Sequence, residues 1–285
     1  MLKKFLKNFL KNSCYRIIRL CLIPTPPRQT WHQRNDDSTE LKNRLNNTLY
    51  LEQFGYKVYS QHDEDGIIEE IFNRIGTTNK IFVEFGVEYG IESNGHYLLH
   101  KGWKGLWIEG KTKHIKEIHQ LFKKLIDSKR LTVINGFITK DNINSLIAEQ
   151  GKIKGEIDLL SIDIDGNDYW VWEAITCIDP RVVIIEYNAK FPPNFEWIME
   201  YDAKHIWNQS DEQGASLKSL ELLGTKLGYQ LVGTNITGAN AFFVKEELAK
   251  DLFIKPSIAE KLYNPARWTT MCYISGHPSK KYIGK

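Results

Sequence analysis

Several features are missing from this 285-residue chain, and each absence removes a class of protein. No apolar run reaches about 18 residues, so no transmembrane helix is expected. The four cysteines, Cys14, Cys21, Cys177 and Cys272, are scattered without a C-x-x-C or zinc spacing. That usage fits a reduced compartment, the cytoplasm. There is no internal repeat and no low-complexity tract. The dinucleotide fingerprint G-x-G-x-x-G is absent, so no pyrophosphate cradle is expected. Residues 1–30 hold seven Lys or Arg and no acid at all. The other 255 residues therefore carry 31 basic and 35 acidic side chains, a net of −4. A mildly acidic body gives no support for nucleic-acid binding.

What is present is concentrated first in KIFVEFGVEYGIESNGHYLLHKGWKGLWIEG, residues 80–110. The run Ile81, Phe82, Val83 suits a strand buried on both faces. Glu84, Gly86 and Gly90 follow with the spacing E-x-G-x-x-x-G. Glycines there suit a turn whose backbone approaches a ligand closely. Ser93 reads as a helix N-cap and Gly102 as a helix stop. A second strand, 105–108, ends at Glu109. An acid about 20 residues beyond such a turn suits hydrogen bonds from a ribose. An acid inside the turn repels phosphates and suits a cationic or amine-bearing nucleoside. S-adenosylmethionine (SAM), with an ammonium, a sulfonium and no phosphate, meets that description. An ordinary tight strand–helix turn has the same local pattern.

The N-terminal arm is patterned as a basic amphipathic helix. Leu2, Phe5, Leu6, Phe9, Leu10, Ile17, Ile18 and Cys21 recur at helical spacing, with Lys3, Lys4, Lys7, Lys11, Arg16 and Arg19 between them. Such a helix can lie on an anionic membrane, here the inner face, through residues 2–21, or pack on protein. Pro24, Pro26 and Pro27 end it, and 29–47 reads as a polar linker.

From about residue 50 the chain alternates strand and helix. Strands are expected at 81–85, 105–109, 131–134, 159–164 and 181–187, with a terminal pair at 229–234 and 241–245. Helices are expected at 65–75, 113–127, 141–149, 170–175 and 217–227. The pattern predicts an α/β fold with a mainly parallel sheet, made mixed by the terminal hairpin. The organisation is an arm and linker over 1–49, one domain over 50–247 and an extension over 248–285. Ligands of such sheets bind beyond the carboxyl ends of the strands. Glu84, Glu109, Asn135, Asp163, Asp165, Glu186 and Asn188 all stand at or past those ends.

A second site is expected in SIDIDGNDYW and IIEYN. Asp163, Asp165 and Asp168 fall within six residues, and Glu186 and Asn188 end the neighbouring strand. Clustered carboxylates repel unless a cation or proton intervenes. Asp163, Asp165, Glu186 and Asn188 offer oxygen ligands for Mg²⁺ or a similar ion, which lowers the pKa of a bound hydroxyl. The alternative is an Asx-rich turn that starts the next helix. Asp163, Asp165 and His62 are the candidate catalytic residues, with His62 as a general base. Trp170, Trp172, Tyr187, Phe191, Trp197 and Tyr201 surround this site in sequence and suit either ring stacking or burial. His96 and His100 suit packing or surface positions.

These segments together resemble the FkbM-like group of class I SAM-dependent methyltransferases. The matching blocks are SQ-x-x-ED-G-I-I at 60–68, F-V-E-F-G-x-x-x-G at 82–90, S-N at 93–94, G-W-x-G-L-x-I-E at 102–109, L-S-I-D-I-D-G-N-D-Y at 160–169 and V-V-I-I-E-Y-N at 182–188. The closing helix and hairpin, near 214–244, are also similar, so the likeness spans about 50–245. It implies a Rossmann-like fold with a seven-stranded sheet, helices on both faces and an antiparallel last strand. It also implies methyl transfer to a hydroxyl, of a sugar, nucleotide sugar or cell-envelope glycan. By resemblance, Gln61, Glu84, Gly86, Gly90, Ser93 and Asn94 belong to the SAM site, Glu109 holds the ribose, Asn135 lies near the adenine and Asp163 sits by the methyl group. The pair Asn94-Gly95 departs from the pattern, where a β-branched residue is expected after the asparagine. Two further readings stay open: a metal-dependent glycosyltransferase using the D-x-D of Asp163-Ile164-Asp165, and a non-catalytic protein at a membrane surface.

Overall fold

Each apolar run read as a strand lies in one seven-stranded sheet. The strands are β1 Ile81–Phe85, β2 Lys104–Glu109, β3 Leu131–Asn135, β4 Gly155–Ile162, β5 Ile178–Glu186, β6 Tyr229–Thr234 and β7 Asn240–Lys245. Their order is β3-β2-β1-β4-β5-β7-β6. β1 to β5 pair in parallel, and β7 runs antiparallel to both β5 and β6. This is a Rossmann-like arrangement, with the antiparallel last strand that the resemblance implies. The computed structural model describes residues 39–208 and 210–267. The chain separates into two units, 1–36 and 37–285. The expected helix over residues 2–21, with Cys14 and Cys21, and the segment 268–285, with Cys272, lie outside the described residues.

The helices are α1 Thr39–Leu45, α2 Glu64–Ile75, α3 Asn94–His100, α4 Thr112–Leu121, α5 Lys123–Asp127, α6 Ile143–Ser145, α7 Asp168–Ala174, α8 Leu217–Lys226, α9 Glu246–Ala249 and α10 Ala259–Leu262. Apolar side chains cover both faces of the sheet. Val83, Phe85, Leu160, Ile162, Val183 and Ile185 pack on one side, and Phe82, Trp107, Leu159, Val182, Ile184 and Phe242 on the other. Alternate residues of a strand point to opposite faces, so a strand buried twice must be apolar at every position. That is why Ile81–Val83 of β1, Leu159 and Leu160 of β4 and Val182–Ile185 of β5 are apolar without a break.

The structure moves several expected boundaries. β4 begins at Gly155, four residues before the expected 159, and ends at Ile162 rather than 164. The polar residues that hid its start include Asp158, which is fully buried. Its carboxylate accepts the backbone N–H groups of Thr78, Asn79 and Lys80 and pairs with Arg181 at 2.6 Å. A charge so well satisfied can sit inside a sheet. β5 likewise starts at Ile178 and ends at Glu186 rather than spanning 181–187. The single helix expected over 113–127 breaks at Phe122, whose buried ring packs edge-on to Trp107. The helix expected at 141–149 is one short turn, α6, continued by a wider turn over Leu146–Gln150.

Residues outside the expected 50–247 domain are bound into the same body. Arg44 of α1 pairs with the buried carboxylate of Glu52 and donates to the carbonyls of Leu262 and Tyr263. The hydroxyl of Tyr187, inside the core, donates to the carbonyl of Asn264 at 2.6 Å.

The unexpected Gly95 has a packing reason. A Cβ there would lie 2.3 Å from the ring of Phe82 and 2.7 Å from a carboxylate oxygen of Glu84. A Cβ on Gly105 would meet the same ring at 2.0 Å. Phe82 thus fills space that two other side chains would need. Gly95→Thr, which installs the expected β-branched residue, is expected to destabilise the protein by about 1–3 kcal/mol through overpacking. Adding Phe82→Val should recover about 1 kcal/mol or more of that loss. Urea unfolding of both single variants and the double variant checks this. A Gly95→Thr protein as stable as the parent would refute the packing account.

Candidate active site

The strand order reverses between β1 and β4, and this opens a crevice at their carboxyl ends. Glu84, in β1, faces the start of α3. One of its oxygens accepts the N–H of Asn94 at 2.6 Å, and the other accepts the N–H of Gly95 and the indole N–H of Trp107, both at 2.9 Å. Ser93 holds the N-cap position, but its own side chain makes no cap bond, so Glu84 performs that task. The Ser93 hydroxyl donates to the carbonyl of Gly90 instead. Burial pushes the Glu84 carboxyl up to about 7, against the pull of these three donors. Asn94 donates to the hydroxyl of Ser161 on β4 at 3.0 Å, which joins both walls of the crevice. Ser161 belongs to the L-S-I-D-I-D block, but no local spacing links it to Asn94.

The turn glycines make room for protein. Gly86 has φ +67°, and a Cβ on it would strike the carbonyl oxygen of Asp163 at 1.6 Å. Gly90 has φ +72° and lies against the rings of Trp107 and Phe122. Ligand approach was the expected reason for both; chain against chain is the observed one. The Gly86 N–H is taken by the carbonyl of Ile108.

On the next strand, Glu109 is buried at the end of β2. Its two oxygens accept the N–H groups of Glu88, in the glycine turn, and of Lys111. His114 stands 3.3 Å away. Asn135, at the end of β3, donates to the carbonyls of Glu109 and Gly110 and accepts from Thr112. Gln61 is half-buried on the loop before α2, and its carbonyl accepts Lys57 Nζ, which also reaches Glu92.

Across the crevice, Asp163, Asp165 and Glu186 bring carboxylate oxygens within 4.8 Å of one another. Asp163 and Glu186 are half-buried, and Asp165, with φ +56°, is exposed. Loss of water holds both Asp163 and Glu186 well above the usual carboxylate range, and the other acids add to it. Lys190 opposes the shift at Glu186. Asn188 does not join this group. Its amide donates to the carbonyls of Asp211 and Gln213, and its oxygen accepts from Lys190 N–H. Asp168 is buried and accepts the N–H groups of Ile164 and Gly166, so it builds the turn and opens α7. Three of the carboxylates therefore fit the hard-cation reading, and Asp168 fits the Asx-turn alternative.

His62 is buried, and its Nδ1 has no partner. Burial lowers its pKa, so the ring is neutral near pH 7. The charges it feels are Glu64, Lys57 and Glu92, not the three-carboxylate group.

The long segment after β5 is stapled onto the 163–168 turn. Gly214 N–H donates to the carbonyl of Gly166, Asn167 to that of Asp202, and Trp170 Nε1 to that of Met199. His205 Nε2 lies 3.1 Å from the carbonyl of Asp165, with its ring against Gly166. Nothing local in the sequence links position 205 to position 166. The aromatics divide between roles. Trp172 and Tyr187 are core residues, while Trp170 and Tyr201 flank Lys140. His96 is buried and stacks on Tyr59, and His100 is exposed.

No family model matches the chain, and no curated protein matches it. The solved structures it is similar to include several methyltransferases. One is a methyltransferase from Podospora anserina, PaMTH1, bound to SAH, at 13% identity over 78% of this chain and 97% of that one, TM-score 0.43. A second is the N-terminal domain of EvdMO1 with SAH bound, at 11% identity over 72% and 94%, TM-score 0.40. A third is the glycopeptide N-methyltransferase MtfA complexed with sinefungin, at 11% identity over 66% and 87%, TM-score 0.39.

The raised carboxyls give stability a definite pH dependence. A carboxyl whose pKa folding raises holds its proton more tightly in the folded state. It favours the fold below its unfolded pKa, and that contribution is lost as pH climbs to the folded value. Burial raises Asp65 to about 6 and Asp63 and Glu84 to about 7, and Asp163 and Glu186 titrate in the same sense. His62 and His96 are lowered and act oppositely, but only as pH falls through 6.5. From about pH 6.5 to about 7.5, without divalent cations, the thermal midpoint should therefore fall as pH rises. Glu186→Gln should flatten that slope. Differential scanning fluorimetry reads both, and a midpoint that is flat or rising over this range contradicts the assignment.

Proposed function

We propose that this chain is a SAM-dependent methyltransferase that moves a methyl group onto a hydroxyl of a sugar, nucleotide sugar or cell-envelope glycan. One observation carries the reading: the glycine turn, which donates to Glu109, lies against the Asp163 backbone, so it meets the carboxylates of Asp163, Asp165 and Glu186 at the strands' carboxyl ends. When bound, SAM supplies an electrophilic methyl carbon on a sulfonium. Glu109 is held from behind by two backbone N–H groups, and its remaining lone pairs suit ribose hydroxyls. Glu84 fixes the turn and the start of α3, so this half is preorganised before any ligand arrives.

On the facing wall, burial and the neighbouring acids raise the pKa values of Asp163 and Glu186, and a more basic carboxylate is a better proton acceptor. One of them takes the hydroxyl proton as the oxygen bonds to the methyl carbon and the carbon–sulfur bond breaks. The products are a methyl ether and S-adenosylhomocysteine. Asp163, Asp165 and Glu186 would also hold Mg²⁺ or a similar hard cation, which would acidify a hydroxyl. The glycosyltransferase reading is not favoured: a diphosphate at Asp163-Ile164-Asp165 would also face Glu88, Asp168 and Glu186. Among the described residues no helix is long and apolar enough to cross a membrane. Surface association through residues 2–21 in the cytoplasm remains part of the proposal, carried by sequence pattern alone.

Two measurements test it. Glu109→Ala is expected to weaken SAM binding about tenfold or more by calorimetry, the effect of losing a charged hydrogen-bond acceptor. Glu186→Gln should keep its affinity for S-adenosylhomocysteine within about twofold yet lose roughly 100-fold in methyl transfer. The assay is mass spectrometry of envelope glycans produced with and without the protein. Failure of the parent protein to bind SAM would end the reading. Mg²⁺ should raise the thermal midpoint of the parent protein and leave that of Glu186→Gln unchanged.

A further inference from the structure

The segment after β5 carries an unusual surface feature. The rings of Phe191 and Phe195 are parallel within 4° at 5.5 Å, and Phe191 stacks on Trp197 at 4.6 Å and 24°. Three aromatic rings thus form one short column. Its outer member, Phe195, is 48% exposed. Stacked aromatic rings normally bury most of their area, and a terminal face left in water forgoes that stabilisation.

The column is also rigidly held. Phe191 N–H donates to the carbonyl of Asn188, and the carbonyl of Ala189 accepts the hydroxyl of Tyr263 at 2.6 Å. Pro192 and Pro193 restrict the turn, which closes through Phe195 N–H to the carbonyl of Pro192. Trp197 exchanges two bonds with Ser216, the buried N-cap of α8. Phe191 lies five positions after Glu186, so their Cα atoms stand at most about 18 Å apart, and Lys190, next to Phe191, acts on the Glu186 carboxyl. The turn at Asn188 shortens that distance.

We propose that the column Phe195–Phe191–Trp197 is the acceptor-binding platform, and that it takes a pyranose ring of a glycan on the open face of Phe195. The proposal rests on the methyltransferase reading and names the acceptor's anchor. A pyranose has an apolar face of C–H groups and a rim of hydroxyls. The apolar face suits the aromatic surface, and the hydroxyls of a ring farther along the glycan suit the carboxylate oxygens of Asp163, Asp165 and Glu186. A neighbouring ring of the same glycan would then present the reacting hydroxyl. Two fixed features, a flat apolar face and a cluster of acceptors, select for hydroxyl-rich rings and against charged peptides. Recognition by a preformed platform also avoids ordering a loop on binding.

Saturation-transfer NMR on the full chain with S-adenosylhomocysteine tests this, using glucose and mannose trisaccharides and p-cresol at millimolar concentration as probes. Saturation should reach ring C–H protons of at least one trisaccharide in the parent protein. Phe195→Ala and Phe195→Leu should each reduce it about fivefold, since neither offers an aromatic face. Both should bind S-adenosylhomocysteine with the parent's affinity, which certifies their fold. Trisaccharide signals of equal strength in the variants, or none in the parent, would overturn the platform. So would saturation of p-cresol alone, which would make the column a site for planar phenols. A parent that binds the trisaccharides through Phe195 but no adenosyl ligand would defeat the methyltransferase reading and leave the platform standing.

Discussion

Everything at the crevice depends on one buried carboxylate. Glu84 accepts two N–H groups from the start of α3 and one from the indole of Trp107 on β2. A helix begins with donors that have no partner inside the helix, and a charge placed there satisfies them and interacts well with the helix dipole. Because Glu84 belongs to β1, the same bonds fix a strand, its neighbour and the helix between them. The glycine turn then has little freedom. Gly86 is pressed against the carbonyl of Asp163, so the backbone that follows β1 and the backbone that follows β4 are set by each other. The nucleoside side and the acidic side of the crevice are in this sense one construction.

Buried acids recur through the fold, and each finds backbone donors. Asp158 takes three N–H groups and Arg181. Asp65 takes the N–H groups of Val58, Tyr59 and Ser60. Asp168 takes two. Charge-assisted bonds to the backbone offset the loss of water, and they specify turns that apolar residues could not. Asp163, Asp165 and Glu186 are the contrast. They crowd one another, and a proton or a cation relieves their repulsion, with Lys190 opposing it at Glu186.

The segment between β5 and α8 completes the site in an indirect way. It has few apolar side chains in the core, yet its backbone is pinned at Gly166, Asn167, Ser216 and Tyr263. Pinning at both ends leaves an aromatic column with its member Phe195 exposed at the surface. A scaffold of this kind can vary its outer residues without disturbing the sheet.

The sequence alone determined the sheet. Apolar runs at 81–83, 106–108 and 182–185, each followed by an acid and separated by helical periodicity, can satisfy burial on two faces in few ways. The carboxyl-end rule then placed Glu84, Glu109, Asp163, Asp165 and Glu186 at one rim. Strand starts were less legible, because Asp158 disguises the beginning of β4 until its distant partners Arg181 and Thr78–Lys80 are known. Only the tertiary structure decided which polar residues are spent on the fold. Asn188 and Asp168 look like ligands in sequence, but their atoms are taken by backbone groups from elsewhere in the chain. It also decided that Gly86 makes way for Asp163, that Gly95 makes way for Phe82, and that residues 189–215 lie on the 163–168 turn. These outcomes depend on contacts between residues far apart in the chain. Local spacing carries the period of a strand or helix, and it carries no record of what packs against it.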